Sequence, residues 1–126
     1  MQYEEITEKI IGCAYRVYNT MGYGYLESVY ENCMLIELRK EKIIAESQKP
    51  IAVHYKGEIV GNFIADIVVE NKIIIELKSI RQLAKTHEVQ LVNYLISTGL
   101  SVGLLINFGQ EKAEIKRKTK SLKSGF

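Results

Sequence analysis

The apolar residues in the first third of the chain recur at helical spacing. Those between Tyr3 and Met21 fall at steps of three and four, which places them on one face of a helix over residues 3–21, with Gly22 placed to end it. After a break at residues 23–25, the same spacing returns and predicts a second helix over residues 26–41. The chain is therefore predicted to begin with two consecutive helices.

After Pro50 the period changes from helical spacing to alternation. Residues 51–55 alternate as in a strand, and Gly57-Glu58 is predicted to form a hairpin turn. Two more strands follow over residues 58–69 and 72–79, and the second is apolar on both faces, as in the middle of a covered sheet. Helical spacing over residues 83–98 and a short apolar strand over 102–107 complete the pattern, with a final strand or turn using Ala113 and Ile115. The order α-α-β-β-β-α-β predicts an α/β (α+β) fold, a mixed sheet with helices packed on it.

Length and composition suit one domain spanning residues 1–126. The chain has 126 residues, of which 47% are hydrophobic and 25% are charged, as in ordinary globular proteins. Cys13 and Cys33 have no CxxC spacing and fall in predicted helices, so we expect reduced thiols and no disulfide-linked partner. No apolar run approaches the ~20 residues of a membrane span, and no signal sequence is visible. These features predict a soluble, cytoplasmic protein with no membrane partner.

Positive charge collects in a predicted basic tail over residues 112–126. Between Lys112 and Lys123 the chain has six basic residues and one acidic residue, although its net charge is only +2. Such a tail can bind phosphate backbones or can be a solvated terminus that keeps the protein soluble, and the sequence leaves both open. The candidate contacts to nucleic acid in this tail are Lys116, Arg117, Lys118 and Lys120.

Three charged residues interrupt the predicted apolar strands: Asp66, Glu76 and Lys78. Buried charges are costly unless they are paired or bind a metal, and residues two apart on a strand share a face. Asp66 and Glu76 face the same side only if the hairpin is centred on Asn71, which requires a three-residue loop or a bulge. A two-residue loop would separate them. The alternative is a Glu76–Lys78 ion pair, with Asp66 capping a strand end.

These residues carry a resemblance to a known superfamily. Asp66 followed by Glu76-Leu77-Lys78 resembles the D…(D/E)xK signature of the PD-(D/E)xK nucleases, with Ala65 in the place of the proline. Residues 24–30, GYLESVY, match the GxxExxY motif that names a small family within that superfamily. Residues 90–94, QLVNY, resemble the QxxxY motif of exonuclease domains in bacterial recombination helicase–nucleases. The resemblance implies a restriction-endonuclease-like core and a metal-dependent nuclease acting on DNA or RNA.

The resemblance also implies a role for each matching residue. Mg²⁺ or Mn²⁺ would bind to Asp66, Glu76 and the backbone carbonyl of Leu77, since these hard cations prefer oxygen ligands. Lys78 would orient the attacking water or help to deprotonate it. Glu27 would reach the site from the second helix, as a supporting carboxylate or a ligand of a second metal. Alternatively, Glu27 is a first-turn glutamate favoured by the helix dipole.

The third predicted helix carries further candidates. Gln90 and Tyr94 are four residues apart and share one face, where the resemblance implies that Gln90 supports catalysis and Tyr94 contacts nucleic acid. Thr86 is the predicted N-cap, and His87 is either a residue of the capping turn or surface, or a phosphate or metal contact. The competing function is a non-catalytic nucleic-acid-binding or regulatory module. A homodimer could pair through residues 102–107 or a sheet edge.

Overall fold

A computed structural model describes residues 2–120 of the chain. Three helices and five strands form in this part, and they confirm a mixed sheet flanked by helices. The helices are α1 (Glu4–Met21), α2 (Glu27–Lys40) and α3 (Lys85–Thr98). The strands are β1 (Ala45–Tyr55), β2 (Glu58–Val69), β3 (Ile73–Lys78), β4 (Val102–Phe108) and β5 (Ala113–Thr119).

The strands form one sheet in the order β1-β2-β3-β4-β5. Every neighbouring pair is antiparallel except β3 and β4, which are parallel and are joined by α3 as the crossover. All residues of β4 are buried, and β3 and β5 bond to its two sides. The suggestion that residues 102–107 mediate pairing of two chains is therefore wrong, because β4 has no open edge. The open edges are β1 and β5.

The helices cover both faces of the sheet. The core on one face contains α1 and α2, and the fully buried Tyr30 ring stacks on Phe108 at 4.2 Å between centroids. The core on the other face forms where α3 meets the sheet. There a Cβ added to Gly103 of β4 would lie 2.8 Å from Leu91 Cδ1. Only glycine at this position lets α3 lie so close to the strands.

One of the two hairpin turns differs from the turn predicted from the sequence, and the other agrees with it. Lys56 and Gly57 form the β1–β2 turn, both with positive φ (49° and 84°), so the predicted turn was one residue too late. Paired positive-φ residues give the turn type that matches the twist of a two-residue hairpin. In the β2–β3 hairpin, Val69 pairs with Ile73. The loop thus contains three residues, 70–72, and the predicted pairing centred on Asn71 is confirmed.

The beginnings of α3 and β1 also differ from expectation. Ala84, not Thr86, is the N-cap of α3, and the Ala84 N–H donates to His87 Nδ1 at 2.9 Å. His87 therefore closes the first turn of the helix, as in the capping alternative. Strand β1 begins at Ala45 and includes Pro50, which is tolerated because β1 is an edge strand.

Seven of the fifteen residues of the predicted basic tail form a strand. Residues Ala113–Thr119 form β5, where Ala113 is buried and Ile115 packs on the core, which confirms the predicted final strand through these two residues. A tail that begins at residue 112 is wrong. Lys123 and the other residues after Lys120 lie outside the described part. Cys13 and Cys33 are free thiols. None of the helices in residues 2–120 is long and apolar enough to cross a membrane.

Candidate active site

Asp66 and Glu76 meet where β2 and β3 diverge. The ladder between these strands ends at the pair Ile67 and Ile75, one residue before the two acids. The Asp66 N–H donates to Glu76 Oε2 at 3.0 Å, and the Leu77 N–H donates to Asp66 Oδ2 at 2.7 Å. Each carboxylate thus replaces a main-chain acceptor of the opposite strand. This exchange fixes both carboxylates side by side.

The surroundings of this pair disfavour two negative charges. Glu76 is only 9% exposed, and burial, together with the charge of Asp66, raises its pKa to about 8. Burial also raises the pKa of Asp66, although the Leu77 N–H and the charge of Lys78 oppose this shift. Lys78 forms no direct ion pair with either acid among the residues described, so the Glu76–Lys78 ion pair is not observed. The pair is arranged to hold a proton or a cation.

Glu27 joins this group from the first turn of α2. Partial burial raises the pKa of Glu27, the positive charges of Lys78 and His87 lower it, and the negative charge of Asp66 raises it. The Ser79 Oγ donates to the Tyr25 carbonyl at 2.5 Å, which holds the segment before α2 against the end of β3. The fold therefore brings Glu27 within electrostatic range of the acids, as the motif order suggested.

Gln90 and Tyr94 face the same group from α3. Tyr94 is half-buried; burial raises its pKa, as does the charge of Glu76, whereas a hydrogen bond with Gln90 lowers it. The Tyr94 ring stacks on Phe63 of β2 at 3.6 Å between centroids. Tyr94 therefore lies within electrostatic range of the carboxylates, whereas Gln90 is exposed and acts on Tyr94.

The basic residues of the C-terminal segment are mostly engaged within the protein. Lys118 forms an ion pair with Glu88. Arg117 Nη2 donates to the Gln2 carbonyl at 2.7 Å, and Lys120 Nζ donates to the Gly99 carbonyl at 3.1 Å. Lys116 is exposed on β5. These residues lie apart from the carboxylate pair in the contacts described, and Lys116 is the best placed to meet a ligand.

Two residues of the site were missed by sequence reasoning. Gln48 of β1 lies between Ser47 and Lys49, whose partners Ile67 and Ala65 flank Asp66 on β2. Its Nε2 donates to Glu31 Oε1 at 2.7 Å, and its side chain lowers the pKa of Asp66. Burial raises the pKa of Glu31, the hydrogen bond from Gln48 lowers it, and the negative charges of Asp66 and Glu27 raise it. Glu31 could have been found from the sequence, because it follows Glu27 by four residues and therefore lies on the same helix face. No sequence pattern pointed to Gln48, since polar residues are common on edge strands.

The oxygen atoms of Asp66, Glu76 and the Leu77 carbonyl fit a hard divalent cation, which would need further ligands besides these. Residues 2–120 contain no group of three or more His, Cys, Asp or Glu side chains that could hold a metal. Asp66 and Glu76 supply two carboxylates, and the Leu77 carbonyl is adjacent. Mg²⁺ is usually bound through one or two carboxylates while it keeps waters and substrate phosphates. Such a site would be completed by water and substrate.

Comparison with known proteins gives the family. The sequence model of the PD-(D/E)XK nuclease superfamily matches residues 4–118, and the chain therefore belongs to this superfamily. Members of the superfamily generally use divalent metals. The fold is similar to the crystal structure of SSO0001, with a TM-score of 0.58 and 18% identity over 74% of this chain. This chain spans about half (49%) of that protein. No curated protein matches the sequence.

Proposed function

We propose that this member of the PD-(D/E)XK nuclease superfamily is a metal-dependent nuclease that hydrolyses phosphodiester bonds in DNA or RNA. The observation that supports the proposal is the reciprocal bonding of Asp66 and Glu76, which sets two partly desolvated carboxylates side by side. The GxxExxY motif over residues 24–30 adds the finer proposal that the chain belongs to that small family.

The proposed site binds Mg²⁺ or Mn²⁺ through Asp66, Glu76 and the Leu77 carbonyl. When bound, the cation would act as a Lewis acid toward a phosphate oxygen and as a template for in-line displacement. Lys78 is the last residue of β3, directly after Leu77, and its positive charge lowers the pKa of both carboxylates. In this proposal Lys78 orients the attacking water and balances the negative charge of the phosphate. Glu27 supports the site from α2.

The residues of α3 and β5 have the supporting roles. Gln90, which lowers the pKa of Tyr94, would orient its hydroxyl, and the Tyr94 ring would lie beside the backbone of the nucleic acid. Lys116 offers an exposed charge for phosphate, whereas Arg117, Lys118 and Lys120 would have to leave existing partners to do so.

A non-catalytic module that binds nucleic acid or regulates a partner is the second candidate. It is favoured by the small donor set, since the described residues supply fewer than three side-chain ligands at one point. Pairing of two chains is a further proposal. The surface proposed for it is formed by the exposed apolar side chains of the β1–β2 hairpin: Tyr55, Ile59, Val60 and Ile64.

Calorimetric titration of Mn²⁺ and Mg²⁺ into the wild-type protein and the Asp66→Asn variant tests the proposal. The same samples are then incubated with labelled single- and double-stranded DNA and RNA. We expect metal binding and cleavage by the wild type and the loss of both in Asp66→Asn. Metal binding without cleavage would favour the non-catalytic module. The absence of metal binding in the wild type would refute the proposed site.

A further inference from the structure

Gln48 has an unusual backbone conformation in the middle of a strand. Its φ is +53°, in the left-handed region, although its neighbours Ser47 and Lys49 pair regularly with Ile67 and Ala65. Non-glycine residues rarely adopt this region, and those that do are mostly Asn, Asp and His. Strain of this kind persists only where surrounding contacts maintain it, and it concentrates at functional sites. The contacts of Gln48 are therefore informative.

The side chain of Gln48 connects two acids on different elements. Its Nε2 donates to Glu31 Oε1 of α2 at 2.7 Å, and the same amide lowers the pKa of Asp66 of β2. Hydrogen bonds to ionised acceptors are stronger than those between neutral groups. On its other side, Asp66 accepts the Leu77 N–H through Oδ2. The Leu77 N–H of β3 thus holds one oxygen of Asp66, and the Gln48 amide of β1 is a second polar group that favours the charged form of this carboxylate.

We propose that Gln48 is a positioning residue of the site, which fixes the Asp66 carboxylate from the β1 side and ties it to Glu31 of α2. The inference deepens the proposed function and rests on it, because Asp66 is the proposed metal ligand. A hydrogen-bond partner of a ligating carboxylate orients that ligand, and its loss typically weakens metal affinity by about 10–100-fold.

An ordinary surface hydrogen bond does not account for the left-handed backbone of Gln48. Gln48 is exposed, and an exposed amide–carboxylate bond alone does little to justify a strained backbone in a strand. The strain follows if the left-handed conformation is what brings the amide to both acids, because a regular strand at this point would direct the side chain differently. The register fits this explanation, because the partners of the two residues beside Gln48 flank Asp66 on β2.

The left-handed backbone gives a clean test. Glycine adopts this conformation without strain, so Gln48→Gly removes the amide while the fold is kept. Gln48→Glu keeps the shape but replaces the amide donor with an oxygen that faces two acids. Ser47→Gly, at the adjacent exposed position of the same strand, is the matched control. Two quantities are measured: the affinity for Mn²⁺ by calorimetry, and the exchange rate of the Leu77 N–H by NMR.

We expect Gln48→Gly to bind Mn²⁺ about 10–100-fold more weakly than the wild type. In both Gln48 variants we expect the Leu77 N–H to exchange about tenfold faster, since its acceptor is less firmly held. Ser47→Gly should change neither quantity.

If the wild type binds Mn²⁺ and both Gln48 variants match it in affinity and exchange, the inference about Gln48 is wrong and the metal site stands. If the wild type binds no Mn²⁺, the proposed function fails. The Leu77 exchange then decides on Gln48 by itself: faster exchange in both variants supports the positioning contact, and unchanged exchange overturns it.

Discussion

Replacing Glu76 with glutamine should change how the stability of the protein depends on pH. The pKa of Glu76 is raised from 4.5 to about 8 in the folded protein, chiefly by burial. Between these two values the folded state holds a proton that the unfolded state has released. The contribution of Glu76 to stability is therefore fully present below pH 4.5 and is lost as the pH rises toward 8.

The size of the effect follows from the shift. One pKa unit corresponds to about 1.4 kcal/mol, so the full shift amounts to roughly 5 kcal/mol of lost stability at high pH and about 3 kcal/mol at neutral pH. Glutamine has no proton to lose, and its side-chain oxygen can still accept the Asp66 N–H. We therefore expect Glu76→Gln to be more stable than the wild type at neutral and alkaline pH.

Urea unfolding at a series of pH values, in the presence of a chelator, measures this difference. The free energy of unfolding of Glu76→Gln should exceed that of the wild type by an amount that grows as the pH rises from about 5 to 8. Glu8→Gln, a change at an exposed glutamate of α1, is the control and should follow the wild-type curve. Parallel curves for Glu76→Gln and the wild type would refute the reasoning, because they would mean that Glu76 is not held protonated.

Three further predictions concern the site, the basic strand and the core. Asp66→Asn should abolish Mg²⁺-dependent cleavage in a nuclease assay while the melting temperature stays the same or rises; full activity would show that the site is misassigned. Lys116→Glu should weaken nucleic-acid binding and reduce its salt-dependence slope by about 0.9 per lost phosphate contact, whereas Lys9→Glu on α1 should do neither. Asn107→Ala should lower the free energy of unfolding by about 3 kcal/mol, since the buried amide bonds to both backbone groups of Ile80; a loss below about 1 kcal/mol would contradict this.

The placement of the carboxylates could be predicted because charge and register constrain each other. Asp66 and Glu76 are equally distant from Asn71, so requiring them to share a face selects the three-residue loop that the structure shows. The positive φ values of Glu70 and Asn71, 53° and 54°, make that loop possible. Glu27 was placed by its motif alone, and its role stays a prediction.

The sequence predicted the C-terminal strand less well than it predicted the placement of the carboxylates. Strand β5 alternates between residues that face the α1 side and charged residues that face the α3 side, and as an edge strand it buries little. A polar, lysine-rich edge strand is how sheets avoid pairing with other chains, and in sequence it resembles a tail. Cutting the chain after Gln110 would consequently remove a strand bonded along the whole of β4, so single substitutions are the sounder test of its charges.

The arrangement of Asp66 and Glu76 links stability to the proposed chemistry at the same atoms. Their carboxylates accept the N–H groups where β2 and β3 separate, so the strands can diverge without leaving these donors unpaired. The same burial keeps a proton on Glu76 near neutral pH. A cation that binds there must displace this proton, so its affinity should rise with pH while the stability of the cation-free protein falls. Stabilisation by Mn²⁺ should therefore be larger at pH 8 than at pH 6, and the Glu76→Gln variant should lack this difference.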